Sequence, residues 1–201
     1  MSEQPPGKPR SRLTLYILFA LFVAPILFAY IAYKYKALQP AGSKNFGNIV
    51  TPARPLPKFN LKTIDEKAFN LESIRRKWSY LYIVDNECGA ACQLNLLKMR
   101  NARLAQGEEA QRVRYYLVFA KRPEQRSIID EIVKGYPKLT ILYGSGPELK
   151  TFFESFKETE ADTVPAAQRV YMIDPIGNYM MYYNNGFESI GIMEDLKHLL
   201  K

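Results

Sequence analysis

Residues 79–104 read SYLYIVDNECGAACQLNLLKMRNARL, and this stretch decides the fold. Its beginning, residues 79–85, is an apolar run rich in aromatic and β-branched side chains, which is typical of a buried strand. Residues 90–106 carry leucines at helical spacing. The only two cysteines of the chain, Cys88 and Cys92, lie between these patterns. The stretch therefore predicts a strand, a cysteine pair and a helix in immediate succession.

Outward from this stretch, strand and helix patterns alternate along the chain. The sequence predicts strands over 113–119, 139–143, 168–174 and 178–183, and helices over 124–134, 148–156 and 187–200. A Pro-Ile-Gly turn joins the last two strands. The resulting order, β-α-β-α-β-α-β-β-α, is a thioredoxin-like order with an insertion. It predicts an α/β fold in which a mixed sheet is flanked by helices.

The N-terminal part of the chain has a different character. Residues 13–33 contain no charged side chain, and as a helix they would be about 31 Å long, which is the thickness of a bilayer's hydrocarbon core. No small-residue cleavage signal follows, so an uncleaved transmembrane anchor is predicted over 13–35, after a short basic tail, 1–12. Residues 36–58, rich in Pro, Gly and Asn, predict a flexible linker. The thioredoxin-like domain is then left with 59–201.

The formal net charge of +8 belongs to the flanks of the uncharged segment. Residues 34–58 carry five basic and no acidic residues, whereas the chain from Phe59 onward carries 20 basic and 19 acidic ones. Basic residues beside a membrane span are expected among anionic lipid headgroups. The charge therefore predicts a membrane partner and argues against nucleic acid. Each flank holds three nearby basic residues, and their tighter clustering before the span favours a cytoplasmic N-terminus.

The cysteine pair is the candidate site. A helix N-terminus offers unpaired backbone N–H groups and a positive dipole end, so Cys88 is predicted as the attacking thiolate and Cys92 as the resolving thiol. The nearby carboxylates of Asp85 and Glu87 act in the opposite sense, because they disfavour a further negative charge. A disulfide between the pair requires Cys88 to lie just before the first helical turn, since Cα atoms four residues apart on a regular helix are near the limit of disulfide reach.

Two other readings of the pair stay open. The cysteines could form a structural disulfide or be two small buried side chains, although a bridge that closes a five-residue loop removes little entropy from the unfolded chain. The other interpretation is that the two cysteines bind a metal ion. Structural zinc usually takes four Cys or His ligands and the chain has two Cys and one His, whereas Cu(I) is compatible with two thiolates.

Two segments carry a family resemblance. LYIVDNECGAACQLNLLKMRNARLAQG at 81–107 and VYMIDPIGNYMMYY at 170–183, together with the N-terminal span, resemble the Sco/SenC proteins, which help assemble the copper centre of cytochrome c oxidase. Residues 81–107 more specifically resemble a divergent bacterial branch of that family, membrane proteins associated with the oxidase, and the resemblance covers about 59–201. The resemblance implies an inner-membrane anchor, a cytoplasmic N-terminus and a periplasmic domain. It also implies copper as the cofactor, and an oxidase subunit or another copper-assembly protein as the partner.

The chain departs from this family at the copper site. The family's site resembles two cysteines plus a distal histidine shortly before the late strand, and counting back from that strand places the histidine at Ala166. The third ligand is missing. The family usually has proline after each cysteine, where this chain has Gly89 and Gln93. The only histidine, His198, is predicted to be a cation near a helix C-terminus rather than a ligand.

Pro165 completes the near-site residues, because Val164-Pro165 precedes the penultimate strand, where thioredoxin-like proteins place a cis-proline beside the cysteine pair. The leading hypothesis is a membrane-anchored accessory protein of oxidase assembly that acts as a thiol–disulfide oxidoreductase on a partner's copper-ligand cysteines. The alternatives are a Cu(I)-binding chaperone with an incomplete Sco-type site and a non-catalytic assembly scaffold.

Overall fold

A computed structural model describes residues 12–34, 45–124 and 126–201 of the chain. They belong to two units, which divide between Ser43 and Lys44. The bounds of the helices and strands, in chain order, are α1 (Arg12–Lys34), β1 (Asn48–Pro55), β2 (Asn60–Thr63), β3 (Ala68–Asn70), α2 (Leu71–Ile74), β4 (Trp78–Val84), α3 (Ala90–Leu104), β5 (Val113–Phe119), α4 (Arg126–Gly135), β6 (Leu139–Tyr143), α5 (Gly146–Glu154), β7 (Val170–Ile173), β8 (Asn178–Tyr183) and α6 (Ser189–Leu199). A short 3-10 helix over Gly107–Arg112 joins α3 to β5.

Helix α1 forms where the sequence predicts the anchor. It has 23 residues, includes Pro25, and leaves most of its large apolar side chains exposed. No helix among the described residues is both long enough and apolar enough to cross a membrane. Membrane anchorage by residues 13–35 stays a prediction. The tail before Arg12 and the last residue of the predicted anchor, Tyr35, lie outside the described residues.

The second unit is built on a sheet of eight strands in the order β1-β8-β7-β4-β5-β6-β2-β3. Strands β4, β5 and β6 are parallel, and the remaining neighbours pair antiparallel. This mixed sheet confirms the predicted α/β architecture. Because β4 lies in the middle, the cysteine loop that follows it emerges near the centre of one end of the sheet.

Apart from Ser79, strand β4 consists of aromatic and aliphatic residues, and both of its faces are buried. Tyr80, Tyr82 and Val84 pack with α3 in one hydrophobic cluster. Leu81 and Ile83 pack on the other face, in a cluster whose largest members are aromatic. A strand buried on both sides shows a continuous apolar run rather than an alternation, which is the pattern that the sequence displays.

The predicted linker over 36–58 is wrong in its second half. Residues Asn48–Pro55 form the edge strand β1, which pairs with β8. Its register shifts between Ile49 and Arg54, and proline is tolerated at an edge, where the outward N–H groups are outside the ladder. These interruptions remove the alternation by which a strand is recognised. Residues 36–44 lie outside the described part of the chain.

A buried carboxylate fixes the start of this unit to its last helix. Asp195 in α6 is fully buried and accepts hydrogen bonds from the backbone N–H groups of Phe46, at 3.0 and 3.1 Å, and of Gly47, at 2.8 Å. The Tyr183 hydroxyl of β8 also donates to it, at 2.8 Å. Burial, followed by the charge of Asp195, raises the pKa of Tyr183. We call these four residues the Asp195 clamp.

Candidate functional site

The two cysteines form a disulfide at the junction of β4 and α3. Helix α3 begins at Ala90 after the N-cap residue Gly89, so Cys88 lies just before the first helical turn, and Cys92 lies within that turn. The Cα atoms of Cys88 and Cys92 are 5.1 Å apart. This is the position that the sequence requires for a bridge. The exposed fractions of Cys88 and Cys92 are 4% and 5%, so both sulfurs are approached only through neighbouring clefts.

The start of α3 suits a sulfur that gains negative charge. Gly89 makes no side-chain capping hydrogen bond to the first turn. The N–H groups of that turn therefore stay available beside the disulfide, where the positive end of the helix dipole favours a thiolate. Asp85 and Glu87 are exposed in the same loop, where a carboxylate disfavours a further negative charge.

One cleft opens on the Cys88 side of the disulfide. It has a volume of about 220 Å³, and its apolar wall includes Phe119 of β5 and Ile129 of α4. Charges of both signs line it, because Lys121 and Arg122 from the loop after β5 are joined there by Glu87 and Glu124. An extended chain that approaches Cys88 from this side meets apolar surface with charges of both signs at the edge.

Arg122 is held in place by groups on two other elements. Its guanidinium lies 2.9 Å from the Glu66 carboxylate and 5.4 Å from the centre of the Tyr143 ring. The Tyr143 hydroxyl also donates a hydrogen bond to Glu66. That hydrogen bond is the largest influence lowering the pKa of Glu66, and Lys62 and Arg122 add to it. Glu66 therefore stays ionised at neutral pH and keeps Arg122 at the rim of the cleft.

A second cleft, of about 480 Å³, opens on the Cys92 side. Its walls include Cys92 and Tyr82, with Pro165, Ala166 and Gln168 from the turn before β7. The position where the resembled family has its histidine thus lies in the same cleft as Cys92, but Ala166 offers only a methyl group. Of the predicted near-site residues, Asp85, Glu87 and Pro165 all line this cleft.

The expectation of a cis-proline at this turn is wrong. Among the described residues, the cis peptide bond is Thr51-Pro52, and the bond between Val164 and Pro165 is trans. The N–H of Ala167 donates to the carbonyl of Thr163 at 3.0 Å, so the chain coils here. A trans proline early in such a turn is favourable, because its φ suits the turn and it has no N–H group to leave unpaired.

An ion pair closes the segment that carries Pro165 and Ala166. Arg169 lies 2.6 Å from the Asp162 carboxylate, and its Nε donates to the Asn184 side chain at 3.2 Å. The hydrogen bond from Arg169 is the main reason that the pKa of Asp162 is lowered to about 2. Because that pKa is depressed, the stability contributed by the pair is present at neutral pH and is lost only as the pH falls toward 2.

The sequence analysis missed a polar pair beneath Cys92. The Asn95 side-chain amide donates a hydrogen bond of 3.1 Å to the Tyr82 hydroxyl, and both residues are buried. A signal for it was present, because Asn95 occupies the buried face of α3 with Cys92, Leu96 and Met99. A polar residue at a buried helical position requires a partner.

The remaining predicted residue is remote from these clefts. His198 is exposed in the last turn of α6, as the sequence predicts. Within residues 12–34, 45–124 and 126–201, no group of three or more Cys, His, Asp or Glu side chains is arranged to hold a metal ion. The site brings together Cys88, Cys92, the two loop carboxylates and Pro165, and it leaves His198 out.

Comparisons with known proteins give a family and a fold. The family described as "Transmembrane-like, thioredoxin-like, C-terminal domain" matches residues 78–201. Copper-bound ScoI of Bradyrhizobium japonicum is 18% identical with a TM-score of 0.56, and the match covers 72% of this chain and 98% of that one. Apo Sco1 from Thermus thermophilus is 16% identical with a TM-score of 0.61, covering 79% and 99%.

A thiol:disulfide interchange protein of the thioredoxin family from Chlorobium tepidum is also similar. It is 17% identical with a TM-score of 0.55, and the match covers 74% of this chain and 97% of that one. None of the curated proteins compared is significantly similar in sequence. At these identities the structural likeness shows the fold alone, and that fold is the thioredoxin-like one predicted from the sequence.

Proposed function

Since this chain belongs to the transmembrane-like, thioredoxin-like C-terminal domain family, we propose that it exchanges thiols and disulfides with a partner protein through Cys88 and Cys92. The observation that carries the proposal is the disulfide itself. It joins the residue before a helix to a residue of that helix's first turn, and a cleft opens on each side of it. A bridge across so short a loop adds little to the stability of the folded chain. Its role is therefore more readily explained by thiol–disulfide chemistry.

Electrons and protons balance in this exchange when the partner supplies a disulfide. In the reduced chain, the Cys88 thiolate attacks one sulfur of that disulfide, a Cys88–partner bond forms, and the partner's other sulfur leaves as a thiolate. Cys92 then attacks Cys88 Sγ, which releases the second partner thiol and forms the Cys88–Cys92 disulfide of the structure. The chain loses two electrons and two protons, and the partner gains them.

We further propose that the partner is a copper-ligand cysteine pair of cytochrome c oxidase or of another copper-assembly protein. The resemblance of residues 81–107 and 170–183 to the Sco/SenC proteins supports this proposal. The solved structures of similar fold include Sco proteins with copper bound, which agrees with that resemblance.

The donor set of this chain does not fit a three-ligand copper site. Two sulfurs are present, and the side chain across the Cys92 cleft at the position of the family's histidine is the methyl group of Ala166. A second candidate function follows from the two sulfurs alone. The reduced pair would carry Cu(I) as cargo, with a further ligand supplied by the partner, and binding would be lost when either cysteine is removed.

We also propose that residues 13–35 anchor the chain in the inner membrane, with the N-terminus cytoplasmic and the Cys-bearing domain periplasmic. The uncharged stretch and the exposed apolar side chains of α1 support this proposal. A disulfide persists more readily in the periplasm than in the cytoplasm. The expected result is that the full chain stays in the membrane pellet after alkaline carbonate washing and is released by detergent. Release by carbonate would contradict an anchor.

Removing the resolving thiol is expected to trap the partner. In a Cys92→Ser chain, the Cys88–partner bond cannot be resolved, so a mixed disulfide should accumulate and be visible as a band that disappears on reduction. The matched control is Cys88→Ser, which should give no such band because the attacking sulfur is absent. The doubly substituted chain should lower the copper content of the oxidase in cells.

An absent adduct, together with an unchanged copper content of the oxidase, would contradict thiol exchange and leave the scaffold reading. Unchanged Cu(I) binding after removal of either cysteine would contradict the chaperone reading.

A further inference from the structure

Tyr82 lines the Cys92 cleft, and its hydroxyl accepts a hydrogen bond but donates none within the described part of the chain. The Tyr82 oxygen accepts a hydrogen bond from Asn95, and none of the residues in the described part of the chain accepts one from it. Burial raises the pKa of the Tyr82 hydroxyl, although the hydrogen bond from Asn95 opposes this effect. Tyr82 therefore remains a phenol at neutral pH, with a hydrogen to donate.

The sulfur of Cys92 is the group in this cleft that develops charge. Cys92 and Asn95 are three residues apart on the buried face of α3, where Cβ atoms lie about 5–6 Å from each other. The Asn95 amide donates to the Tyr82 hydroxyl, so this hydroxyl is tied to the part of α3 that carries Cys92. Tyr82 and Cys92 also belong to one hydrophobic cluster and line one cleft.

The charge on Cys92 arises when the disulfide opens. A thiolate of a reducing dithiol bonds to Cys88 Sγ, the bond between Cys88 and Cys92 breaks, and the electron pair stays on Cys92 Sγ. Asp85 and Glu87 line the same cleft and oppose this charge, while the walls exclude much of the water that would otherwise solvate it. A hydrogen-bond donor in that cleft offsets both effects.

Resting on the proposed exchange reaction, we propose that the Tyr82 hydroxyl donates a hydrogen bond to the Cys92 sulfur as the disulfide opens, with Asn95 as the positioning residue. The phenol keeps its proton and only shares it with sulfur. Tyr82 thus stabilises the reduced pair relative to the disulfide and makes the disulfide a stronger oxidant.

The test is the equilibrium of the full chain with reduced and oxidised dithiothreitol, measured in Tyr82→Phe. A hydrogen bond to a charged group is strong enough that its loss should shift the equilibrium constant about tenfold toward the disulfide, which for this two-electron couple corresponds to about 30 mV. The rate of reduction by dithiothreitol should fall in the same variant, because Cys92 becomes a poorer leaving group.

Tyr80→Phe is the matched control. Tyr80 lies two residues earlier on β4, points to the same cluster, is fully buried, and has a hydroxyl without a hydrogen-bond partner. Its removal should leave both the equilibrium constant and the reduction rate unchanged. If Tyr82→Phe folds poorly because Asn95 loses its partner, Tyr82→Phe with Asn95→Leu removes both polar groups together and should show the same tenfold shift.

The outcomes separate the two proposals. An equilibrium constant that is the same in the wild-type chain and Tyr82→Phe, or that shifts equally in Tyr80→Phe, overturns the role of Tyr82 while leaving exchange intact. A wild-type disulfide that does not equilibrate with dithiothreitol, or whose potential is below about −300 mV, overturns the exchange function itself.

Discussion

Replacing Asp195 with alanine is expected to lower the free energy of unfolding by about 3–5 kcal/mol. The side chain is fully buried and accepts hydrogen bonds from two backbone N–H groups and from the Tyr183 hydroxyl. Its loss leaves these donors in the interior without an acceptor, and each such group costs about 1–3 kcal/mol. The effect is large because one residue satisfies three donors from two distant parts of the chain.

The measurement is urea unfolding of the full chain at neutral pH, followed by circular dichroism. Glu194→Ala is the matched control, because Glu194 precedes Asp195 on the same helix but makes only a surface pair with Lys197 at 4.0 Å. We expect the control to change the free energy of unfolding by less than about 0.5 kcal/mol. Equal, small effects of both substitutions would show that the Asp195 clamp does not contribute to stability.

Introducing histidine at Ala166 is expected to raise the affinity of the reduced chain for copper by at least about 100-fold. Ala166 lines the cleft that contains Cys92, so an imidazole there would join the two sulfurs and supply the ligand that the chain lacks. The loss of a second-shell group already costs up to about 100-fold in metal affinity, and a direct ligand should contribute more. Competition with a colorimetric copper chelator measures the change.

Ala167→His is the control for this substitution. It adds the same imidazole one residue later, at a position that does not line the Cys92 cleft. A gain in both variants would mean that any added histidine recruits copper. No gain in Ala166→His would show that this turn does not present residue 166 to the cysteine pair, and the comparison with the Sco/SenC site would then lose its basis at this position.

The centre of the fold was predictable because it follows periodic patterns. Strand β5 runs over Val113–Phe119, as predicted, and β6 and β8 also agree with the sequence in both bounds. Helix α5 begins two residues earlier than predicted, since its Gly-Pro start has no apolar periodicity. Buried parallel strands and amphipathic helices contribute strong patterns, because their environment is uniform along their length.

The edges of the sheet were not predictable in this way. Strand β1 contains two prolines and a register shift, and β2 and β3 have only four and three residues. Strand β1 forms through pairing with β8, and β2 joins the sheet through β6, so both depend on partners more than 70 residues away, while β3 is added through β2 alone. A local pattern of side chains does not contain this information.

The reactive cysteine pair was predictable from the sequence, whereas the residues that pack around it were predictable only in part. The cysteine pair and the absence of a ligand at Ala166 follow from the order of residues along the chain. The bond before Pro165 was wrongly expected to be cis, because the coil of residues 163–167 sets its geometry. The pair of Tyr82 and Asn95 joins a strand to a helix, and only the packed structure brings those two side chains together.

The Asp195 clamp also determines how a mechanical load would enter the domain. A force directed along the chain from its N-terminal side reaches Phe46 and Gly47 before it reaches β1. The backbone there is bonded to α6, so the hydrogen bonds to Asp195 must rupture before β1 can peel away from β8. An edge strand that would otherwise unzip one residue at a time is thereby shielded from tension by a residue near the opposite end of the sequence.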